Sequence, residues 1–343
     1  MNLKYIYWFS YYNLNDPSVR YRGKYVLDEL YKKNDIKYTI IYPGYDFKNI
    51  SRFIKAFFSV IFFRKKDSLI VFQAIFRNGI YSNALKVILF FRKTNTLYDT
   101  DDADYTRFPP KTINYFIKKC EACSVGSKAL SEYVQKYNSN IILLTSPVIA
   151  HDKIKKEKNQ TFTIGWIGYY NAHKESLIQL LFPAIKDINF KLKLIIIGVV
   201  KEQHKKEIRS YFGNNKNVFI EIPENINWLD ELSIYNIIKT FDVGISPLID
   251  SELNRAKSAF KLKQYLSCGV PVLGSSIGEN SSFIENGING YICNTPEDYK
   301  NMILKINNLS ANEYKFLSNN AIKSINKFSI ENFCSTLIEF YKN

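Results

Sequence analysis

The sequence predicts an α/β protein of two domains, each with a parallel sheet covered by helices on both faces. Short β-rich runs alternate with helical segments through both halves of the chain, and the polar stretch 150–160 interrupts this alternation once. The 343 residues, 46% of them hydrophobic, are enough for two cores. We predict a first domain over 1–150, a second over 151–330, and a C-terminal helix over 331–343 that could return to the first domain.

The elements of the first half follow the spacing of apolar and β-branched residues. Helices are predicted over 21–33 and 80–92. The predicted strands are 3–9, 38–42, 68–72, 96–99, 124–127 and 141–144. Alternation of this kind requires crossover connections, so the strands should be parallel, with ligands bound at their carboxyl ends.

The second half repeats the pattern. A helix is predicted over 175–186, and Ser329 is predicted to cap a final helix over 329–341. The predicted strands are 163–167, 192–197, 218–222, 243–246, 271–273 and 290–293.

The formal net charge of +15 is concentrated in the first half. Residues 1–150 hold 23 Lys and Arg against 12 Asp and Glu, whereas residues 151–343 hold 24 against 20. A basic first half indicates an anionic partner, which could be a phosphorylated substrate, an anionic membrane surface or nucleic acid. Recognised nucleic-acid-binding signatures are absent from the sequence, so we expect no nucleic-acid partner.

The apolar run 56–63 is bounded by Arg52, Lys55 and the three cations at 64–66, and it is too short to span a membrane. It is typical either of an interfacial helix on anionic lipid or of an amphipathic helix packed on a sheet. The N-terminus resembles a strand rather than a signal peptide, and the cysteine count is odd. We therefore expect a cytoplasmic protein, with peripheral attachment to the inner face of the cell membrane as an option.

The cysteines do not predict a zinc site. Cys120 and Cys123 form the one close pair, we predict them in a helix, and no second pair completes a ligand set. We predict no metal.

The segment KSAFKLKQYLSCGVPV (257–272) predicts a phosphate site. A lysine-bearing loop precedes a short helix, whose first N–H groups and partial positive charge suit an anion. Lys257 and Lys261 add two full charges at that end. Gly168, after the strand 163–167, would allow a backbone to approach phosphates closely.

Four motifs in order resemble the group 1 glycosyltransferases, which move sugars from nucleotide-sugars. They are FTIGWIGYYNAHKES (162–176), INWLDE (226–231), FDVGISPL (241–248) and the lysine segment, followed by NGINGYIC (286–293). The resemblance implies the GT-B fold, two Rossmann-like domains around a cleft, with the nucleotide-sugar as a co-substrate and no cofactor. The donor-site residues it implies are Gly168, Lys174, Trp228, Lys257, Ser258, Lys261 and Gln264.

The sequence departs from the family pattern at two positions. Many members carry two glutamates separated by seven residues, and here these positions are Ala256 and Gln264. Gln264 can still hydrogen-bond a ribose hydroxyl, whereas Ala256 has no polar side chain. The donor sugar therefore stays open, and so does the alternative of a non-catalytic partner subunit.

In the first half, YDTDDADY (98–105) and SVRYRG (18–23) resemble a subset of these enzymes that assembles polysaccharides. Asp99 and Asp101 follow a strand, where they could bind acceptor hydroxyls or stabilise positive charge on the sugar. Arg20 and Arg22 could hold phosphate. Asp99, Asp101 and Arg22 are our catalytic candidates. A metal site or a helix cap is the alternative for the aspartates.

The leading hypothesis is a glycosyltransferase of the hexosyltransferase type. It would move a sugar from a nucleotide-sugar to a saccharide or lipid-linked saccharide acceptor in assembly of surface polysaccharide, such as lipopolysaccharide or capsule. The resemblance implies a retaining, metal-independent reaction. The alternatives are a nucleotide-sugar epimerase or phosphorylase, a non-catalytic subunit and a nucleic-acid-binding protein.

Overall fold

The computed structural model describes residues 3–63, 67–149 and 157–342, and it divides into two compact units. The first unit contains the residues up to Pro147, the short segment Ala256–Ser258 and the residues from Phe328 onward. The second contains Val148–Arg255 and Ala259–Lys327. Most of the predicted linker 150–160 lies outside the described residues.

Each unit is built on one six-stranded parallel sheet, which confirms the predicted α/β class. The first sheet has the strand order β2-β1-β3-β4-β5-β6 and the second has the order β12-β11-β10-β7-β8-β9. The strands are β1 Tyr5–Ser10, β2 Lys37–Ile41, β3 Ser68–Gln73, β4 Thr96–Thr100, β5 Ala122–Val125, β6 Ile141–Leu143, β7 Phe162–Ile167, β8 Leu192–Ile197, β9 Val218–Glu221, β10 Val243–Ser246, β11 Val272–Gly274 and β12 Gly290–Ile292.

Helices connect successive strands. They are α1 Tyr25–Asn34, α2 Phe47–Phe62, α3 Ile80–Phe91, α4 Lys111–Lys119, α5 Lys128–Gln135, α6 Tyr170–Ser176, α7 Phe182–Lys186, α8 Glu202–Phe212, α9 Glu231–Ile238, α10 Glu252–Arg255, α11 Phe260–Ser267, α12 Asn280–Phe283, α13 Pro296–Asn307, α14 Ala311–Ile325 and α15 Ile330–Lys342. Two π-helical turns, Val19–Lys24 and Leu177–Leu181, and two 3-10 turns, Asp104–Thr106 and Asn326–Phe328, complete the elements.

The structure corrects two details of the sequence analysis. The helix predicted over 175–186 begins at Tyr170 and continues through the π turn Leu177–Leu181 into α7, because β7 ends at Ile167 and the chain turns at Gly168. Cys123 lies in β5 and Cys120 follows α4, so the predicted helix for this pair is wrong. Both thiols are buried and free.

The C-terminal helix α15 belongs to the first unit, where it packs on α1. Ser329 Oγ accepts a hydrogen bond from the Asn332 N–H at 3.3 Å, which confirms the predicted cap. Cys334 Sγ donates to the Val26 carbonyl at 3.5 Å, and Leu337 is fully buried. The chain therefore ends by covering its own first helix.

In residues 3–63, 67–149 and 157–342, none of the helices is both long and apolar enough to cross a bilayer.

Candidate functional site

Polar side chains gather at the carboxyl ends of the strands in each unit, as expected for parallel sheets. In the first unit the centre is Asp99 near the end of β4. Strand pairing places Gln73 of β3 and Ser124 of β5 directly beside it. The π-helical turn after β1 brings Arg22 to the same place.

Arg22 and Asp99 form a buried ion pair, with 0% and 1% of their side chains exposed. Arg22 Nε donates to Asp99 Oδ2 at 3.0 Å, and Nη2 donates to Oδ1. Ser124 Oγ donates to Asp99 at 2.5 Å, and Arg22 Nη1 donates to the Leu144 carbonyl at 2.6 Å. Because both charges are satisfied inside the protein, this burial favours a positioning role over direct contact with a substrate.

Asp101 is half-buried and lies beside this pair. It accepts hydrogen bonds from Ser18 Oγ at 2.9 Å and Ser146 Oγ at 3.3 Å. Gln73 Nε2 donates to the carbonyl of Ser18 at 3.2 Å and so fixes the loop after β1. Among our three catalytic candidates, Asp101 is the one that is half-buried rather than fully buried.

Arg20 contacts the loop that precedes the π turn. Its Nη1 donates to the carbonyls of Leu14 at 3.0 Å and Asn15 at 2.8 Å, so it braces the loop that precedes the π turn.

Asp102 and Asp104 share Arg107 as a partner. Arg107 Nη2 lies 2.6 Å from an oxygen of each carboxylate. Asp102 also accepts a hydrogen bond from Lys257 Nζ at 2.9 Å. Lys257, which we predicted at the donor phosphates, is thus paired with a carboxylate of the first unit.

The segment Ala256–Ser258 is held by side chains of the first unit. Ser127 Oγ donates to the Ala256 carbonyl at 2.8 Å, and Thr145 Oγ1 donates to the Ser258 carbonyl at 3.5 Å. Ala256 and Ser258 are buried. A Cβ at Gly126 would lie 2.9 Å from Asp101 Cβ, so this glycine makes room for Asp101, and Ser258 Cβ lies just beyond at 3.4 Å.

Burial and neighbouring charges separate the pKa values of the aspartates. Burial, aided by the charge of Asp102, raises the pKa of Asp104 to about 7. Burial also raises the pKa of Asp101, although the charge of Arg22 opposes it. Burial alone would raise the pKa of Asp102, but Lys257 and Arg107 hold it below its usual value. Asp16, which the sequence analysis missed, has its pKa raised to about 6 by burial and by the charge of Asp101.

In the second unit, Lys261 reaches the loop that follows β7. A Cβ at Gly168 would lie 2.7 Å from Lys261 Cε, so the lysine lies directly against this glycine, whose φ of +154° favours glycine over other residues. The Lys261 ammonium lies 5.7 Å from the centre of the Trp166 ring and 3.4 Å from His173 Nε2. Lys261 stands in the first turn of α11, which no side chain caps.

Tyr265 fixes α11 against the sheet. Its hydroxyl accepts from the Ile167 N–H at 3.0 Å and donates to the Ile245 carbonyl at 3.3 Å. The carboxyl end of β7 and the helix that carries Lys261 are thereby held together.

Trp228 lies on the other side of the same loop. A Cβ at Gly198, which follows β8 with a φ of +97°, would lie 3.5 Å from the Trp228 ring and 2.0 Å from the Gly168 carbonyl oxygen. Gly168, Trp228 and Lys261 are therefore brought together by the structure. Lys174 is half-buried on the neighbouring helix α6, and Gln264 is buried on α11.

The sequence analysis missed several members of these networks. The distance of Gln73 and Arg107 from the aspartates is set by strand order and loop path, which single-sequence patterns do not reveal. His173 precedes Lys174 in the motif 162–176, but a histidine in a polar helix or loop carries no specific signal, so the sequence assigned it no role. Within the described part of the chain, no three His, Cys, Asp or Glu side chains are arranged to hold a metal ion. The metal alternative for the aspartates thus has no support there, and a metal-independent reaction stays a prediction.

Comparisons with solved structures identify the fold. The chain is similar over 100% of its length to a glycosyltransferase from Rickettsia africae ESF-5, with a TM-score of 0.66, 14% identity and 98% of that chain covered. It is similar to Anabaena Alr3699/HepE in complex with UDP and glucose, with a TM-score of 0.66, 12% identity and 100% of each chain covered. For the sucrose-phosphate synthase of Thermosynechococcus elongatus the TM-score is 0.72 at 10% identity, over 99% and 98% of the two chains. No curated protein matches the chain by sequence.

The two parallel sheets and these likenesses define a protein of the GT-B fold. Residues 161–312, which contain β7 and α11 with Gly168 and Lys261, match the family model of the group 1 glycosyl transferases. This region belongs to that family, and the chain is a glycosyltransferase. The recognition made from the four motifs is confirmed.

Proposed function

We propose that this glycosyltransferase moves a hexose from a nucleoside diphosphate sugar to a saccharide or lipid-linked saccharide acceptor in assembly of a surface polysaccharide. The observation that carries the proposal is the placement of Lys261 against Gly168 in the second unit, beside the uncapped first turn of α11. A cation, a helix N-terminus and a glycine that permits close approach are what a diphosphate requires.

The donor chemistry follows from this arrangement. As the glycosidic bond breaks, the leaving nucleoside diphosphate gains negative charge. Lys261, with Lys174 on the adjacent helix, would stabilise that charge without a metal ion. Trp228 offers an aromatic face for the base. The solved complexes of HepE with UDP and with UDP-glucose support uridine diphosphate sugars as the first donors to test.

On the acceptor side we assign Asp101 to contact with an acceptor hydroxyl. It is half-buried, whereas Arg22 and Asp99 are fully buried, and the Arg22–Asp99 pair holds the strand end and the π turn that flank it. Lys257 would contribute through its pair with Asp102 rather than as an isolated cation. Retention of anomeric configuration is implied by the family resemblance.

A lipid-linked acceptor would bring the enzyme to the inner face of the cell membrane as a peripheral protein. The uneven charge of the chain, net +11 over residues 1–150 from 23 cations and 12 anions, supports this placement.

A non-catalytic partner subunit is the second candidate, because Ala256 and Gln264 replace two family glutamates. Neither side chain carries a carboxylate, and both are buried, Ala256 at 0% and Gln264 at 6% exposed. A subunit of this kind could bind nucleotide without transferring sugar.

The proposal is tested by thermal shift with UDP, GDP, ADP, CMP and their sugar conjugates, with and without magnesium, followed by product analysis. Ligands that bind only the folded state raise its midpoint. We expect a magnesium-independent shift with one diphosphate series. Lys261→Ala should weaken that binding about ten- to a hundredfold through loss of a charge-assisted contact.

Lys206→Ala, on the exposed surface of α8 in the same unit, is the matched control and should bind like the parent. Equal binding by Lys261→Ala and the parent would overturn the phosphate assignment. Binding without transfer to any saccharide acceptor would favour the non-catalytic subunit, and C-epimerised donor without acceptor would favour an epimerase.

A further inference from the structure

The exposed apolar face of two adjacent helices in the first unit is the strongest unassigned feature of the described residues. On α2, Phe47, Ile50, Ile54, Phe58 and Phe62 are exposed, with 44–87% of each side chain accessible. Their spacing of three or four residues places them on one face of the helix. Soluble proteins rarely leave contiguous apolar patches of this kind unless they bind something.

Helix α3 extends the same surface. Val87, Phe90 and Phe91 are exposed by 42%, 72% and 57%. Phe58 and Phe62 line a shallow groove together with Val87 and Phe91, so the two exposed faces are continuous. We call this surface, formed by the exposed apolar residues of α2 and α3, the α2–α3 face.

The two helices are tied together at their C-terminal ends. Arg92 Nε donates to the Val60 carbonyl at 3.0 Å, and its Nη2 donates to the Ile61 carbonyl. These carbonyls belong to the last turn of α2, where intrahelical donors run out. Phe58 and Phe62 stack on each other, with ring centres 5.9 Å apart. The face is therefore a fixed platform.

Charge identifies the kind of partner. Lys48, Arg52 and Lys55 follow one another at helical spacing beside the apolar stripe of α2, and α3 carries Lys86. Neither helix contains an Asp or Glu. A wide apolar face on helices that carry cations and, apart from the N-cap Asp46, no adjoining carboxylate complements an anionic lipid surface, where rings enter the headgroup boundary and cations meet phosphates.

We propose that the α2–α3 face docks the protein on an anionic lipid bilayer, with the phenylalanines inserted at the headgroup level. The run 56–63 singled out in the sequence is then only part of the contact, because α3 contributes as well. The cations at 64–66 lie outside the described residues. The inference rests on the proposed function only in that a lipid-linked acceptor gives the docking a purpose.

The test is co-sedimentation of the full chain with vesicles of phosphatidylcholine alone or of phosphatidylcholine with phosphatidylglycerol, in the absence of nucleotide. We expect binding to the anionic vesicles that weakens as salt is added. The double variant Phe58→Ser, Phe62→Ser should bind at least about tenfold more weakly through loss of buried apolar area. Arg52→Gln and Lys55→Gln should each cost roughly fivefold.

Phe316→Ser is the matched control, since Phe316 is 52% exposed on α14 of the second unit. It should bind vesicles like the parent. These positions are exposed apart from Arg52, which is half-buried, so unchanged thermal midpoints are expected to accompany the changes in binding.

Equal vesicle binding by the double variant and the parent would overturn the proposal, as would equal binding to both kinds of vesicle. Self-association that is lost in the double variant, without vesicle binding by the parent, would instead assign the face to a second copy of the chain. The vesicle test contains no nucleotide, so an absence of vesicle binding would not contradict the proposed sugar transfer. An absence of sugar transfer would equally leave the result of the vesicle test unaffected.

Discussion

The aspartates that follow β4 differ in charge state because their surroundings differ. Asp102 meets Lys257 and Arg107, which stabilise its anion, whereas Asp104 is 5% exposed and also faces the charge of Asp102. In active sites, neighbouring carboxylates often have different pKa values, so that one stays charged while the other holds a proton. Their order along the chain does not reveal this division.

Asp104→Asn should stabilise the protein at alkaline pH. The pKa of Asp104 is about 7 in the folded protein, against an ordinary value of 3.8 for an aspartate in the unfolded chain. The stability that its protonation contributes is therefore full below pH 4 and is lost as the pH rises through 7. At pH 8 we expect the substitution to raise the free energy of unfolding by about 1–3 kcal/mol, since Arg107 loses a partner and offsets part of the gain. Urea unfolding of the variant and the parent from pH 4 to pH 8 measures this difference in the free energy of unfolding.

Asp298→Asn is a control of opposite sign. The Asp298 carboxylate accepts from the N–H groups of Asn294 and Thr295, which lowers its pKa. Its loss should therefore destabilise the protein at neutral pH and have less effect as the pH falls through that lowered pKa. A stability difference for Asp104→Asn that does not change between pH 4 and pH 8 would contradict the assignment.

At the scale of elements, two paired glycines let aromatic rings pack directly against the backbone of the sheet of the second unit. Gly165 of β7 pairs with Gly244 of β10. A Cβ at Gly165 would lie 2.1 Å from the Phe241 ring, and one at Gly244 would lie 2.3 Å from the Tyr265 ring. The helix α11 can approach β7 and β10 only because Gly244 leaves this space. The glycine therefore supports the position of Lys261 at a distance.

Gly244→Ala should destabilise the second unit and weaken nucleotide binding together. The new methyl group would overlap Tyr265 down to its Cβ, at 2.8 Å, so the backbone of α11 has to shift. We expect a loss of about 1–3 kcal/mol, as is usual for overpacking. Thermal unfolding and nucleotide titration measure the two effects.

Gly213→Ala is the matched control, because its nearest neighbours in the same unit are backbone oxygens at 3.5 Å and its φ of −59° suits alanine. A Gly244→Ala variant with the stability and nucleotide affinity of the control would mean that Tyr265 can move at no cost.

Strand positions were predictable because each strand is a short apolar run between polar turns, as in β3, where all six residues are buried. The segment 257–272 could be singled out because its lysines and helix start are contiguous and carry a family pattern, and its assignment to the donor stays a prediction. The Arg22–Asp99–Ser124 cluster was not predictable as a cluster, since it depends on β1, β3, β4 and β5 being neighbours in that order. The π turns were missed because their sequences differ little from ordinary helix.

At the scale of the whole molecule, the chain completes its first unit with its last residues. Phe333 of α15 lies over the Arg22 guanidinium, whose centre is 5.5 Å from the ring, and Leu337 enters the core beneath α1. The second unit, in contrast, is contained between Val148 and Lys327 apart from the segment Ala256–Ser258. The first unit therefore cannot reach its full stability without α15.

Leu337→Ala tests this dependence. Removal of a fully buried leucine should lower the free energy of opening of the first unit by about 2–4 kcal/mol, while the second sheet stays protected. Hydrogen exchange distinguishes the two units, because in the variant the amides of β1 and β3 should exchange faster and those of β7 and β8 should not. Ser335→Ala, exposed on the same helix, should leave both sheets unchanged. Equal loss of protection in both sheets would mean that the two units unfold as one, and loss in neither would mean that α15 adds nothing to the core it covers.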